Sequence, residues 1–188
     1  MEEAQGEKVR TFISIEITED IRKKLETLTK ELDQYGAKPV AKENMHITLF
    51  FLGDISNTTL EETKGILAEL SCSKFYVSVR GIGTFSSKMS SVIFANVAEG
   101  KDAIGSIYKT LFKKLKTINV KIDSRDYHPH ITIARTRHKC DKRQLLEFID
   151  RNSGIEFGRF LCGEIKIKSS ILTNDGPIYS DLYTKALD

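Results

Sequence analysis

The tripeptide His-Ile-Thr occurs twice, as His46-Ile47-Thr48 and His130-Ile131-Thr132, each time opening a run rich in apolar residues. Along a strand successive side chains point to opposite faces, so residues i and i+2 share a face about 6.5–7 Å apart. His46 and Thr48 therefore stand together, opposite a row made of Met45, Ile47, Leu49 and Phe51. His130 and Thr132 stand together in the same way, opposite Ile131 and Ile133. A fold for this chain has to back both strands with a hydrophobic layer and leave an imidazole and a hydroxyl on the other face of each.

The remaining pattern supplies the elements. Arg10 to Ile17 alternates like a strand, and Ile21, Leu25, Leu28 and Leu32 then follow at helical spacing until Gly36 and Pro39. Met45 to Leu52 reads as a strand ended by Gly53-Asp54, with a second helix from about Ser56. Phe75 to Phe85 and Ser91 to Val97 read as paired strands, and Lys101 to Thr117 as a third helix with Ile104, Ile107, Tyr108, Leu111 and Leu115 in register. His130 to Arg135 is a strand and Asp141 to Ile149 a fourth helix. Two strand-like runs end the chain, Arg159 to Leu172 and Ile178 to Leu187, with Asp175-Gly176-Pro177 turning between them. A strand–helix–strand–helix–strand order thus occurs about twice. The mixture of hairpins and helices predicts an α+β fold with largely antiparallel sheets. With three prolines and no Gly/Ser-rich tract to act as a linker, residues 1–188 are expected to form a single domain.

Composition narrows the function classes. At 40% hydrophobic and 29% charged residues, the chain reads as globular, with no apolar run near the roughly 20 residues of a membrane helix. The start, Met1-Glu2-Glu3-Ala4-Gln5, shows no secretory pattern, so a cytoplasmic protein without membrane partners is expected. Cys72, Cys140 and Cys162 form no CxxC pair, which predicts idle thiols instead of a disulfide framework or zinc site. A net charge of +3 is too small to name nucleic acid as the partner. Arg135, Arg137, His138, Lys139, Lys142 and Arg143 nonetheless crowd one segment, compatible with a phosphate-rich ligand.

Two such strands side by side would aim two imidazoles and two hydroxyls at one point, which is what phosphodiester hydrolysis needs. A neutral histidine takes a proton from water while a protonated one gives a proton to the leaving oxygen. Imidazole serves either task because its ordinary pKa, about 6.5, permits both states near neutrality. Hydroxyls donate to the non-bridging oxygens, where charge gathers in the transition state. These residues leave open which histidine is acid and which is base. His128 shares the parity of His130 but precedes Pro129, which suits a positioning or solvent role, and His138 falls in the basic segment. Arg135 would suit phosphate, although strict alternation from His130 sets it on the opposite face. No Asp, Glu or Cys lies at ligand spacing from either histidine, and no GxxxxGK[ST] loop is present, so no metal and no nucleotide cofactor is expected.

Asn44-Met45-His46-Ile47-Thr48-Leu49 with Phe51-Leu52-Gly53, and His128-Pro129-His130-Ile131-Thr132-Ile133-Ala134-Arg135, resemble the paired HxTx motifs of the two-histidine (2H) phosphoesterases. Within them the chain is most similar to the bacterial and archaeal RNA 2′,3′-cyclic phosphodiesterases, first described as 2′-5′ RNA ligases. Arg10 to Ile15 is similar to that family's opening and Ser170 to Tyr179 to its ending, so the likeness runs from about Val9 to Leu187. The resemblance implies a bilobal, pseudo-twofold fold of two interleaved lobes with a central cleft. It implies metal-independent opening of a terminal 2′,3′-cyclic phosphate to a 2′-phosphomonoester, on RNA ends or cyclic nucleotides. His46 would be the proton donor and His130 the acceptor, with the motifs extending to Leu49 and Ile133. Thr48, Thr132 and Arg135 would hold the phosphate. Phe50, expected on the face of His46, stands where relatives often carry Lys or a small residue. A monomer is expected. The competing readings are a 2′-5′ RNA ligase running the reverse chemistry, and an RNA-end binding module without turnover.

Overall fold

The computed structural model describes residues 8–86, 91–118, 120–122, 126–136, 140–174 and 176–188. Strand β1 (Lys8–Glu16) leads into helix α1 (Glu19–Thr29), short strand β2 (Ala37–Pro39) and strand β3 (His46–Ser56), which carries the first motif. Helix α2 (Asn57–Ala68), the hairpin of β4 (Phe75–Ser86) and β5 (Ser91–Val97), and helix α3 (Lys101–Leu115) follow. The second motif opens β6 (His130–Thr136), and α4 (Lys142–Arg151), β7 (Glu156–Cys162), β8 (Glu164–Leu172) and β9 (Pro177–Ala186) complete the order. The helical stripes are those the spacing predicts: Ile21, Leu25 and Leu28 on α1 and Ile104, Ile107, Leu111 and Leu115 on α3 are buried. Ser56 starts α2 by accepting the Thr59 N–H at 3.2 Å, and Asp141 starts α4 by accepting that of Gln144 at 3.1 Å.

The strands are ordered β7-β4-β5-β6-β3-β1-β8-β9, with β2 also on β6, and neighbours run antiparallel. This order is symmetric about β6 and β3, the two motif strands, with three further strands outside each. The two expected sheets meet there edge to edge through one bridging pair, Ile47 opposite Ile131. Ile13, Ile15, Met45, Ile47, Ile131, Ile133, Ile165 and Ile167 join one core that continues under both halves.

The halves exchange helices. Helix α1 connects β1 to the motif strand β3 but packs against β6 and β7 of the other half. Helix α3 connects β5 to β6 but packs on α2, which lies against β3 and β9. Gly158 in β7 makes room for the first of these contacts, since a Cβ there would come within 3.2 Å of Ile21 Cγ1.

Two strand boundaries differ from the sequence reading. The run from Arg159 to Leu172 is two strands, because β7 pairs with β4 and β8 with β1 on opposite sides of the seam, and the chain breaks at Gly163. Strand β3 does not stop at Gly53-Asp54. Gly53 takes φ +72° and the register with β1 slips by one residue there, so the strand bulges and runs on to Ser56.

Candidate active site

The Ile47–Ile131 bridge fixes what stands on the open face. In an antiparallel pair, one step along each strand sets His46 level with Thr132 and Thr48 level with His130. Side chains so placed have Cβ atoms about 4.5–5.5 Å apart. The four motif residues therefore form one patch, with the imidazoles on a diagonal. A cavity of about 260 Å³ opens beside it, and His46, Thr48, Thr132 and Arg135 are in its wall; His130 borders the seam outside that wall.

Both motif strands begin with the same burial pattern: half-buried His, buried Ile, half-buried Thr, two buried residues in succession, then an exposed one. The cause is a bulge at the same place in each. Against β1 the register passes from Thr48 to Phe50 and omits Leu49; against β5 it passes from Thr132 to Ala134 and omits Ile133. A bulge sets two consecutive side chains on one face and reverses the alternation after it. Phe51, expected in the hydrophobic row, is thereby turned into the cavity wall at 67% exposure. Phe50, expected beside His46, is instead 3% exposed and stacks on Tyr108 of α3 at 4.5 Å. Arg135 gains from the same reversal and joins the face of His130 and Thr132.

The two imidazoles have different surroundings. His46 stacks on Phe12 with ring centroids 5.0 Å apart and meets the edge of Tyr179 at 5.5 Å. Glu16 lies opposite it on β1, bonded to Arg22 and, at 2.9 Å, to Lys168. Burial lowers the His46 pKa to about 4; Glu16 and a hydrogen bond with the Asn44 backbone oppose this, and Lys168 and Arg22 reinforce it. His130 sits against the rings of Phe85 and Phe94, each 5.1 Å away. Its Nδ1 lies 2.7 Å from the His128 carbonyl oxygen. An Nδ1–H donating there leaves the Nε2 lone pair free to accept a proton. Burial lowers the His130 pKa as well, with the charges of His128 and Arg135 adding to it and the His128 carbonyl opposing. Burial thus favours the neutral form of both imidazoles. The positioning role expected of His128 falls to its backbone.

Several contributors were not visible in the sequence. Tyr127 donates its hydroxyl to the Thr48 carbonyl at 3.0 Å and stacks on Tyr108 at 4.1 Å, tying the approach to the second motif to the first motif strand. Asn44 donates to the Pro177 carbonyl at 3.0 Å and closes the cavity rim. Of the basic segment, Arg137, His138 and Lys139 lie outside the described residues, as does Asp175 of the terminal turn, while Lys142 and Arg143 are exposed on α4. The three cysteines are free thiols. Among the described residues, no group of three or more His, Cys, Asp or Glu is placed to hold a metal ion. No described helix is long and apolar enough to cross a membrane.

Comparison with known proteins bears on this site. A family model described as LigT like phosphoesterase matches residues 15–94 and again 96–179, one stretch for each motif. The RNA 2′,3′-cyclic phosphodiesterase of Thermotoga maritima is 35% identical over 185 residues, covering 93% of this chain and 94% of the relative. The proteins of that name from Methanocaldococcus jannaschii and Archaeoglobus fulgidus are 33% and 31% identical. Their matches cover 91% and 93% of this chain, and 96% and 98% of the relatives. In fold, the chain is similar to Escherichia coli LigT complexed with 3′-AMP, with a TM-score of 0.82 at 19% identity over 96% of this chain and 99% of that one.

Proposed function

The chain belongs to the LigT-like phosphoesterase family, and from that premise we propose that it opens RNA 2′,3′-cyclic phosphate ends with His46 and His130 as its acid–base pair. Water attacks the phosphorus as His130 Nε2 takes its proton. The P–O3′ bond breaks, the ribose 3′ oxygen receives a proton from His46, and the phosphate remains on the 2′ oxygen. Thr48 and Thr132 donate hydroxyl hydrogens to the non-bridging oxygens, and Arg135 offsets their charge. His46 needs a proton that burial disfavours. The anionic phosphate supplies the compensating field, since an opposite charge close by favours the charged imidazole.

The observation that carries this reading is the Ile47–Ile131 bridge, which brings two imidazoles and two hydroxyls to one open face beside a cavity. The test is product analysis on an RNA ending in 2′,3′-cyclic phosphate, in the presence of EDTA. A 2′-phosphomonoester is expected, at an unchanged rate. A 3′-phosphate, no product, or activity that needs a divalent ion restored would sink the reading. With a 5′-hydroxyl RNA added, a joined product replacing the monoester would reassign the chain to ligation.

A further inference from the structure

The cavity continues beyond the reach of the reacting phosphate. Where β3 leaves β6, β2 takes its place on the same side of β6, and Lys38 lies directly opposite Arg135. Both side chains are in the cavity wall. Like charges opposite each other on an antiparallel pair destabilise it, because their Cβ atoms are only about 4.5–5.5 Å apart. Nothing described relieves this pair: among the described residues neither cation bonds to a carboxylate, and the cavity wall contains no Asp or Glu. Both residues are exposed, so solvent screens their repulsion, and the pair leaves this end of the wall positively charged and open to an anion.

The ring phosphate accounts for Arg135 but not for Lys38. That group is placed by Thr48 and Thr132 at the seam and reached by Arg135, whereas Lys38 stands on β2, beyond the point where β3 and β6 pair. The same wall includes Pro39, Val40 and Pro177, apolar residues suited to contact with a nucleoside.

We propose that Lys38 and Arg135 form a second anion subsite, which takes the 5′ phosphate of the terminal nucleotide, the group that links it to the rest of an RNA. This rests on the acid–base reading above and adds a substrate class to it: the enzyme selects 5′-phosphorylated or chain-linked ends over nucleoside 2′,3′-cyclic phosphates. Arg135 serves both anions and Lys38 only the second.

The experiment compares kcat/KM on adenosine 2′,3′-cyclic phosphate and on its 5′-phosphorylated form, for the native chain, Lys38→Ala and Lys38→Arg. A hydrogen bond to a charged group predicts a preference of about tenfold or more for the 5′-phosphorylated substrate. Lys38→Ala should bring the ratio toward one, Lys38→Arg should keep it, and added salt should reduce it. Equal rates in the native chain, or a preference that survives Lys38→Ala, would remove the subsite and leave the acid–base reading standing. No turnover of either substrate would remove both.

Discussion

The two motif strands, β3 and β6, share a burial pattern, a bulge and a bridging isoleucine, yet they end in opposite chemistry. After the bulge, β3 presents the ring of Phe51 to the cavity and β6 presents the guanidinium of Arg135. Both imidazoles touch aromatic rings and a backbone group, but His46 lies opposite the ion-paired carboxylate of Glu16, whereas His130 has His128 and Arg135 for neighbours. A symmetric backbone brings two imidazoles to one face, but the acid–base pair proposed for them cannot itself be symmetric. Two like groups in like surroundings titrate together, and only the mixed protonation state is productive. The asymmetry has to come from the neighbours, and residues outside the repeated tripeptides supply it.

The largest effects should come from removing that pair. His46→Ala and His130→Ala should each lower kcat by about 10²–10⁴-fold, with the double variant little worse, because the two act as one unit. Near-normal turnover by either single variant would break the equivalence. Thr48→Ala and Thr132→Ala should cost less, roughly tenfold to a few hundredfold.

A pH profile sharpens the comparison next. kcat/KM reports ionisations of the free enzyme. Both imidazoles lie below the ordinary 6.5, His46 at about 4, so whichever acts as acid loses its proton progressively as the pH rises. kcat/KM should therefore fall from pH 6.5 to 8.5, by up to about tenfold per unit. kcat should hold to higher pH, because the bound anion restores the proton. A flat or rising kcat/KM over that range contradicts the burial of both groups.

The smallest effect separates the consecutive phenylalanines. Phe51→Ala should weaken substrate binding by about fivefold or more if a base stacks on the exposed ring, while folding is unaffected. Phe50→Ala should instead cost about 3–5 kcal/mol of stability in thermal or denaturant unfolding. Matching effects at the two positions would mean that the bulge does not divide their roles.

Much of this was legible because it depends on short-range periodicity. The shared face of His46 and Thr48, the opposite face of Ile47, and the apolar stripes of α1 and α3 follow from intervals within one element. The faces of Phe50, Phe51 and Arg135 do not, because a bulge is a property of two strands and the slipped register is set by β1 and β5. A trace of it was present: Leu49-Phe50 and Ile133-Ala134 are apolar pairs at matching motif positions, where strict alternation asks for a polar residue. Lys38 and Tyr127 reach the site only through pairing and stacking, and nothing local to either points there. The break at Gly163 was hidden because β7 and β8 both read as strand, and only their partners differ.

The exchange of helices bears on how the chain reaches this state. Helix α1 forms early in the sequence, but the strands that cover its apolar stripe, β6 and β7, are made more than a hundred residues later. Helix α2 covers β3 within its own half, but α1 finds its cover only in the other, so a fragment ending after β5 would hold the apolar stripe of α1 in water. Assembly therefore waits on contacts between distant parts of the chain, which close slowly because loop entropy has to be overcome before burial repays it. Unfolding should be cooperative for the same reason, and refolding should bring back turnover and native fluorescence together, since His46 and His130 meet only where the two halves are joined.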